Sequence, residues 1–357
     1  MDMDTLTIGC SSGLHITYRL PITAFQPLTS SDTLLRLSIR HCLSGHSGFD
    51  IHLGRASATK LVGRCLGAIL ASEDEGTTLN DHPLNLQLAS VDAVHKLNVI
   101  PPSASVTFAV RASAVESVRE IVKKEMEGIL AEYADVETEM AWSLDEIDPS
   151  SYSSSPPSLI PPSTTSTIIT AITSAPFGVI KMSHRFPDTP ELTCNLNALS
   201  LLSEDSVTHA AHTHSSFLHS FPADPHTPHS FEISLYFRSI SETFAASFHR
   251  DLDAMYSLLG FLPQLPQHPH PVWLSPTNTH LLHVSQLAYQ NIFKKEAKLS
   301  IVAAGFEPAV FCKIYPNIEM IAVGPTIHYP HTTQEALVLN TVLPYYKLVI
   351  EILKLLL

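Results

Sequence analysis

From residue 14 to residue 131 the hydrophobic pattern switches between the two-residue repeat of strands and the three-four repeat of helices, and the order of the switches limits which folds are open. Leu14-His-Ile-Thr-Tyr-Arg-Leu and Leu34-Leu-Arg-Leu-Ser-Ile-Arg alternate apolar and polar residues, as half-buried strands do. After the glycines at 45, 48 and 54 the repeat lengthens. Ala58, Leu61, Val62, Cys65, Leu66 and Ile69 fall on one side of a helix, with Ser57 as a candidate N-cap. Strands over 85–91 and 105–111 come next, then an amphipathic helix over 115–131 that turns Val118, Ile121, Met126 and Ile129 inward. Two strands and a helix, repeated once, predict an α+β sandwich.

The second half has a different rhythm. Residues 148–166 are dominated by Ser and Pro and predict a flexible linker. Residues 209–230 predict a second irregular stretch. Beyond it the pattern gives a strand (231–240), a helix (242–259), a Pro/His-rich turn region (263–271) and a helix (278–295). A strand (299–303), a helix (308–315), a strand (318–323) and a last helix (336–357) complete it. Alternating strands and helices are the mark of an α/β sheet with helical cover, so the fold class expected is α/β with an inserted α+β domain.

Composition narrows the function. At 45% hydrophobic content, 357 residues can bury a sizeable core and favour two domains. With 34 acidic against 21 basic residues and no basic stripe, a nucleic-acid partner is not expected. The five cysteines, Cys10, Cys42, Cys65, Cys194 and Cys312, are scattered and include no C-x-x-C spacing, which fits a reducing compartment. Residues 1–20 lack the pattern of a signal peptide, and no stretch reaches the roughly 18 apolar residues of a membrane span. The chain therefore reads as cytoplasmic, without a membrane partner.

Several segments resemble one known family. Ser44-Gly-His-Ser-Gly-Phe-Asp-Ile-His-Leu-Gly-Arg-Ala-Ser-Ala-Thr-Lys-Leu is similar to G-G-H-S-G-x-x-I-H-x-G-x-x-N-A-x-K-L. Ile8-Gly-Cys resembles M-G-C, Asn98-Val-Ile-Pro resembles R-N-A-I-P, Pro176-Phe-Gly-Val-Ile resembles P-N-G-V-I, and Phe237-Arg-Ser resembles I-R-S. Ala304-Gly-Phe-Glu resembles A-G-L-E, and Gly324-Pro-Thr-Ile-His-Tyr-Pro-His resembles G-P-T-x-x-x-P-H. In order and spacing these match the aminoacyl-histidine dipeptidases, carnosinase-like zinc metallopeptidases. The resemblance implies a phosphorylase/hydrolase-like zinc exopeptidase fold. Residues 1–12 and 263–357 would belong to the catalytic domain, and 13–262 would form a lid and dimerisation domain with a His-rich insertion at 205–230.

The same resemblance implies roles. Two zinc ions in the family polarise a water and the scissile carbonyl beside a glutamate base. His331 would be a terminal zinc ligand, against the plainer reading of an exposed loop histidine. His46, set among glycines, would reach the active site of a neighbouring subunit and stabilise the oxyanion, or it is simply a turn histidine. Asn98 and Arg238 would contact the substrate, Arg238 as a fork on the dipeptide carboxylate; a structural ion pair is the alternative for Arg238. Glu307 would face the substrate amino group, or it answers the dipole of a helix start. The series His209, His212, His214, His219, His226 and His229 reads as a surface insertion rather than a metal site, as do the histidines flanking Pro269.

The family also uses H-x-D, G-x-D-N and T-E-E segments and a further Asp, all ahead of its M-G-C; the residues before Ile8 carry none of the three segments, and ungapped spacing puts the further Asp before residue 1, with Asp2 or Asp4 open only as a displaced remnant. Ala303, Leu97 and Phe177 stand where the family has His, Arg and Asn. From the sequence we therefore expect an N-terminally truncated relative with an incomplete catalytic sheet that does not retain the two zinc ions and is inactive alone. The function it encodes would be hydrolysis of short peptides. The alternative is a non-catalytic paralogue that dimerises through the lid or binds peptides.

Overall fold

A computed structural model describes residues 4–74, 84–151, 157–186, 188–203, 229–328 and 335–357. Thirteen strands of two sheets organise the chain: β1 Thr5–Cys10, β2 Ser12–Ile22, β3 Asp32–Arg40, β4 Gln87–Val94, β5 Ala104–Arg111, β6 Ala141–Ile147, β7 Gly178–Met182, β8 Pro190–Ser203, β9 His229–Ser239, β10 Leu262–Pro263, β11 Gln267–His270, β12 Trp273–Leu274 and β13 Lys298–Val302. Among the described residues the α-helices are α1 Ala58–Asp74, α2 Val115–Glu132, α3 Pro162–Ser174, α4 Glu242–Leu258, α5 His280–Phe293, α6 Glu307–Ile314 and α7 Val342–Leu356.

Ten strands form the larger sheet, in the order β10-β2-β9-β8-β4-β5-β3-β6, with β11 also on β2 and β7 also on β8. Its two halves meet at a narrow seam where β8 pairs with β4 only at Ala198–Val94 and Leu199–Ala93. α1 lies between α2 and α3, and all three bury apolar faces over the sheet. Val118, Val122, Met126 and Ile129 of α2, Leu61, Cys65 and Ile69 of α1, and Ile168, Ile169 and Ile172 of α3 share one core.

The smaller sheet, β12-β1-β13, holds a separate core. Leu6 and Ile8 of β1 pack there with Leu282, Ala288 and Tyr289 of α5 and Leu348 and Ile352 of α7. β1 and β13 run parallel, so Cys10 and Val302 sit together at their carboxyl ends. One residue, Ser11, separates β1 from β2. The chain thus passes from one sheet into the other within a single step.

The structure departs from the sequence reading in places that have physical explanations. The linker expected over 148–166 is ordered at its end: Ile160 N–H donates to the Leu88 carbonyl (2.8 Å), and α3 starts at Pro162. Proline suits the first helical turn, and burial of three isoleucines outweighs the weak helix propensity of the Ser/Thr-rich segment. The strands β6, β7 and β8 were not anticipated. β8 alternates around a bulge between Leu196 and Ala198, which breaks the two-residue repeat that would have marked it.

The strand expected at 318–323 shrinks to one bridge, Thr7 with Ala322. The last helix begins at Val342, not at 336. The Ser57 hydroxyl is buried without a hydrogen-bond partner among the described residues, so it does not cap α1. The His-rich stretch lies outside the described residues except His229, which is buried in β9 and sits edge-on to Phe25 rather than on a surface insertion.

Two glycines in helices test this packing in opposite directions. A Cβ on Gly63 of α1 would stand 2.5 Å from Ile172 Cγ2, whereas one on Gly128 of α2 meets nothing within 4 Å. Gly63→Ala is expected to lose about 1–3 kcal/mol by overpacking. Gly128→Ala, at an exposed helical position, is expected to gain about 0.5–1 kcal/mol. Denaturant midpoints of the two variants check the pair.

Candidate functional site

A cleft of ≈ 310 Å³ opens where the two sheets meet, lined by His46, Phe49, Leu97, Asn98, Tyr236, Arg238, Val302, Ala304, Gly305 and Phe306. It lies beyond the carboxyl ends of parallel β1 and β13, where open α/β sheets characteristically leave room for ligands. Four segments converge on it: the loop after β3, the turn between β4 and β5, the end of β9, and the end of β13 with the loop that follows it.

β9 supplies the charge. Its alternation puts Phe231, Ile233, Leu235 and Phe237 into the core and leaves Glu232, Ser234, Tyr236 and Arg238 on the opposite, polar face. Registered neighbours continue that face in rows: Gly13, Arg238 and Thr193; His15, Tyr236 and Asn195; Arg19 with Glu232. The Arg19–Glu232 pair closes at 2.8 Å, and His15 Nε2 meets Ser234 Oγ at 2.6 Å.

Arg238 is different. It is 6% exposed, it has no acidic partner among the described residues, and its Nε is buried without a hydrogen bond. Burial lowers its pKa from the ordinary arginine value, opposed only by nearby Tyr236; an arginine remains charged near neutral pH regardless. Among the described residues its aromatic support is the Tyr236 ring, whose centroid stands 4.5 Å from the guanidinium carbon. The structural ion pair left open by the sequence does not form among the described residues. A buried cation without a counter-charge beside a cleft is unfavourable until an anion supplies one.

His46 is fixed by its own loop. Its Nδ1 accepts the N–H groups of Gly48 (3.0 Å) and Phe49 (3.2 Å), so in the neutral ring the hydrogen sits on Nε2. The His46 N–H donates to Asp50 (2.7 Å), and Arg55 pairs with Asp50 (3.3 Å). Gly45, at φ 141, adopts a conformation open to glycine, and a Cβ there would strike Arg55 and Asp50. The loop is stitched to the Asn98 turn by Ser47 N–H to the Asn98 carbonyl (2.8 Å) and Ile100 N–H to the Gly45 carbonyl (2.9 Å).

Both ends of this loop hang from one carboxylate. Glu137, 5% exposed, accepts Leu43 N–H at Oε2 (2.5 Å) and Ala56 N–H at Oε1 (2.7 Å). No cation pairs with it among the described residues. Sequence reasoning missed Glu137 because its partners are backbone groups more than eighty residues away, which leave no side-chain pattern to find. Tyr236, Phe49 and Phe306 were missed for a related reason: on a sequence they look like core aromatics.

Of the residues singled out in the sequence, His46, Asn98 and Arg238 come together in the cleft. His46 lines the cleft of its own chain. Glu307 is exposed at the start of α6, one residue past the lining. His331 lies outside the described residues. His270, set aside with the histidines around Pro269, is half-buried: it pairs with Gly13 and its ring presses on Gly305, where a Cβ would come 2.6 Å from Cδ2.

The implied metal can be tested against the donors present. Among the described residues no three His, Cys, Asp or Glu side chains gather as a metal site. His249-Arg-Asp carries the letters of an H-x-D segment, but it sits on α4 with the His249 ring 6.1 Å from Phe237, on the side of β9 away from the cleft. The described residues therefore do not fit a zinc pair.

Comparison with known proteins agrees with this architecture. Residues 37–137 match the peptidase dimerisation domain; Glu137 closes that segment. The chain is a homologue of the cytosol non-specific dipeptidase of Escherichia coli, 26% identical over 347 residues, which are 97% of this chain and 62% of that protein. Its fold is that of the aminoacylhistidine dipeptidase from Vibrio alginolyticus, with a TM-score of 0.78 at 22% identity over 99% of this chain and 63% of that one. The chain thus spans about three fifths of the length of these relatives. No helix among the described residues is long and apolar enough to cross a membrane.

Replacing Glu137 by Gln tests the clasp, because an amide oxygen still accepts one N–H while the NH₂ group opposes the other. We expect a loss of about 1–3 kcal/mol and faster amide exchange at Leu43 and Ala56. Unchanged exchange at both amides would contradict the assignment.

Proposed function

We propose that this chain provides the lid and the carboxylate-binding half of a metallodipeptidase acting on short peptides, aminoacyl-histidine dipeptides among them. One observation carries the reading: the buried, acid-free guanidinium of Arg238 faces a cleft shared with the Nε2–H of His46 and with Asn98. The C-terminal carboxylate of a short peptide supplies the missing counter-charge, and a guanidinium meets it as a fork. His46 Nε2–H then donates to the carbonyl oxygen as it gains negative charge. Asn98 contacts the peptide backbone, and Glu307, just outside the lining, serves its amino end.

In this reading His331 is a terminal zinc ligand, and the two zinc ions of the family supply the polarised water when bound. The described residues furnish no set for that pair, so the 357-residue chain alone is expected to bind peptide without hydrolysing it. The loop contacts of His46 favour service within its own chain, in contrast to the reach toward a neighbouring subunit that family resemblance implies. The matched dimerisation domain supports a homodimer through the lid. A cytoplasmic setting fits the five thiols, all of them free.

A second reading, a peptide-binding paralogue without catalysis, is favoured by the same gathering of binding groups without metal donors. The two separate in one series of measurements. Calorimetric titration of the chain with alanyl-histidine is expected to show binding, and Arg238→Gln to weaken it about tenfold to hundredfold. Turnover by the chain with zinc would contradict the expected inactivity. Turnover only when a relative's metal-binding segments are joined to the chain supports the dipeptidase reading, and none even then supports the paralogue.

A further inference from the structure

The arginine of this cleft is held in place by something other than charge. We propose that Tyr236 is the positioning residue for Arg238, setting the plane and height of its guanidinium, and that Gly13 is the opening that lets the phenol lie where it must. The inference rests on the carboxylate reading above and assigns what makes that reading geometrically possible.

Four observations support it. Tyr236 and Arg238 are two apart on β9, so both face the cleft, and the guanidinium carbon stands 4.5 Å from the ring centroid. Among the described residues Arg238 has neither an acid nor a hydrogen bond to its Nε to orient it, so ring contact and packing do the orienting. Gly13 is directly opposite Arg238 on β2, and a Cβ there would overlap Tyr236 Oη and come 3.0 Å from Cζ. From the other side Gly48 closes the arrangement: a Cβ on it would overlap the Ala303 carbonyl and stand 3.1 Å from Arg238 Nε and 3.0 Å from His46 Cε1.

The side chain of Arg238 is therefore confined between an aromatic shelf and a glycine, with the shelf itself seated over a second glycine. No other side chain in the row can substitute for the ring. The cross-strand neighbour on β8 is Thr193, too short to reach under a guanidinium, and His270 on β11 is occupied with Gly305. A ring of the same size without the hydroxyl would still form the shelf, whereas a branched aliphatic side chain would not.

These features give a distinctive set of variants. The measured quantity is the preference of the full chain for glycyl-phenylalanine over glycyl-phenylalanine amide, which differ only in the carboxylate, by calorimetric titration. The unaltered chain is expected to prefer the acid by about tenfold or more. Tyr236→Phe keeps the preference. Tyr236→Leu and Gly13→Ala each lose most of it, the latter by displacing the phenol. The double variant Gly13→Ala/Tyr236→Phe regains it, because removing Oη leaves only the 3.0 Å approach to Cζ, which a small shift relieves. Near-ultraviolet circular dichroism accompanies each variant to establish that it is folded.

A simple packing role for Tyr236 would not produce recovery of carboxylate preference in the double variant. A preference that persists in folded Tyr236→Leu, or a double variant no better than Gly13→Ala, overturns the positioning role while leaving the carboxylate reading intact. Equal binding of acid and amide by the unaltered chain overturns both.

Discussion

The antiparallel pairing of β2 with β9 is the constraint from which the rest of the site follows. It runs the full length of both strands and begins one residue after β1 has ended its parallel pairing with β13. A strand that leaves one sheet and enters another across a single residue brings the ends of both sheets within reach of each other. Gly13 and Arg238 are the second pair of that ladder, so they must lie beside Cys10 and Val302. A one-residue slip in register would turn Arg238 into the core and Phe237 into the cleft. The four large apolar residues of the opposite face of β9 resist that slip, so the hydrophobic core fixes where the guanidinium points.

The second half of the cleft is made by a loop without regular structure, and its rigidity comes from polar contacts instead of packing. Glu137 holds both ends, Asp50 and Arg55 hold the turn, and the Asn98 turn accepts from Ser47 and donates to Gly45. A buried carboxylate bonded to two backbone amides is stable only while both remain, because burial makes a lost partner expensive. The fold thus places two buried charged groups, Glu137 and Arg238, beside the cleft. One is satisfied by the chain itself. The other has no acidic partner among the described residues, and in the proposed reading a ligand carboxylate supplies it.

Much of the larger sheet's helical cover was legible in the sequence because its elements bury one face each, so the repeats of Val118 to Ile129 and of Ala58 to Ile69 show in the letters. Arg238 was legible through the resemblance of Phe237-Arg-Ser to I-R-S and as an unusual charge near the end of a strand; the polar face it belongs to was hidden, since Ser234 and Tyr236 alternate with Ile233, Leu235 and Phe237 too quietly to signal a second surface. α3 was illegible because Ser and Thr in its sequence describe a linker, and the isoleucines that make it a helix act through contacts with α1. β8 was lost to its bulge. His270 was lost to the company of prolines, although its pairing with Gly13 puts it at the edge of the site. Resemblance brought His46 and Asn98 to notice. Which groups hold them in position had to come from three dimensions.

The proposed function depends most on a carboxylate entering the cleft at Arg238. The most direct measurement is the nitrogen-15 and proton resonance of Arg238 Nε–H, assigned through Arg238→Lys, while a dipeptide or its C-terminal amide is added. A Nε–H that is buried and unpartnered moves strongly downfield when a carboxylate oxygen accepts from it. The account predicts that shift with the dipeptide and little with the amide. A resonance that ignores both, or answers both alike, would contradict it.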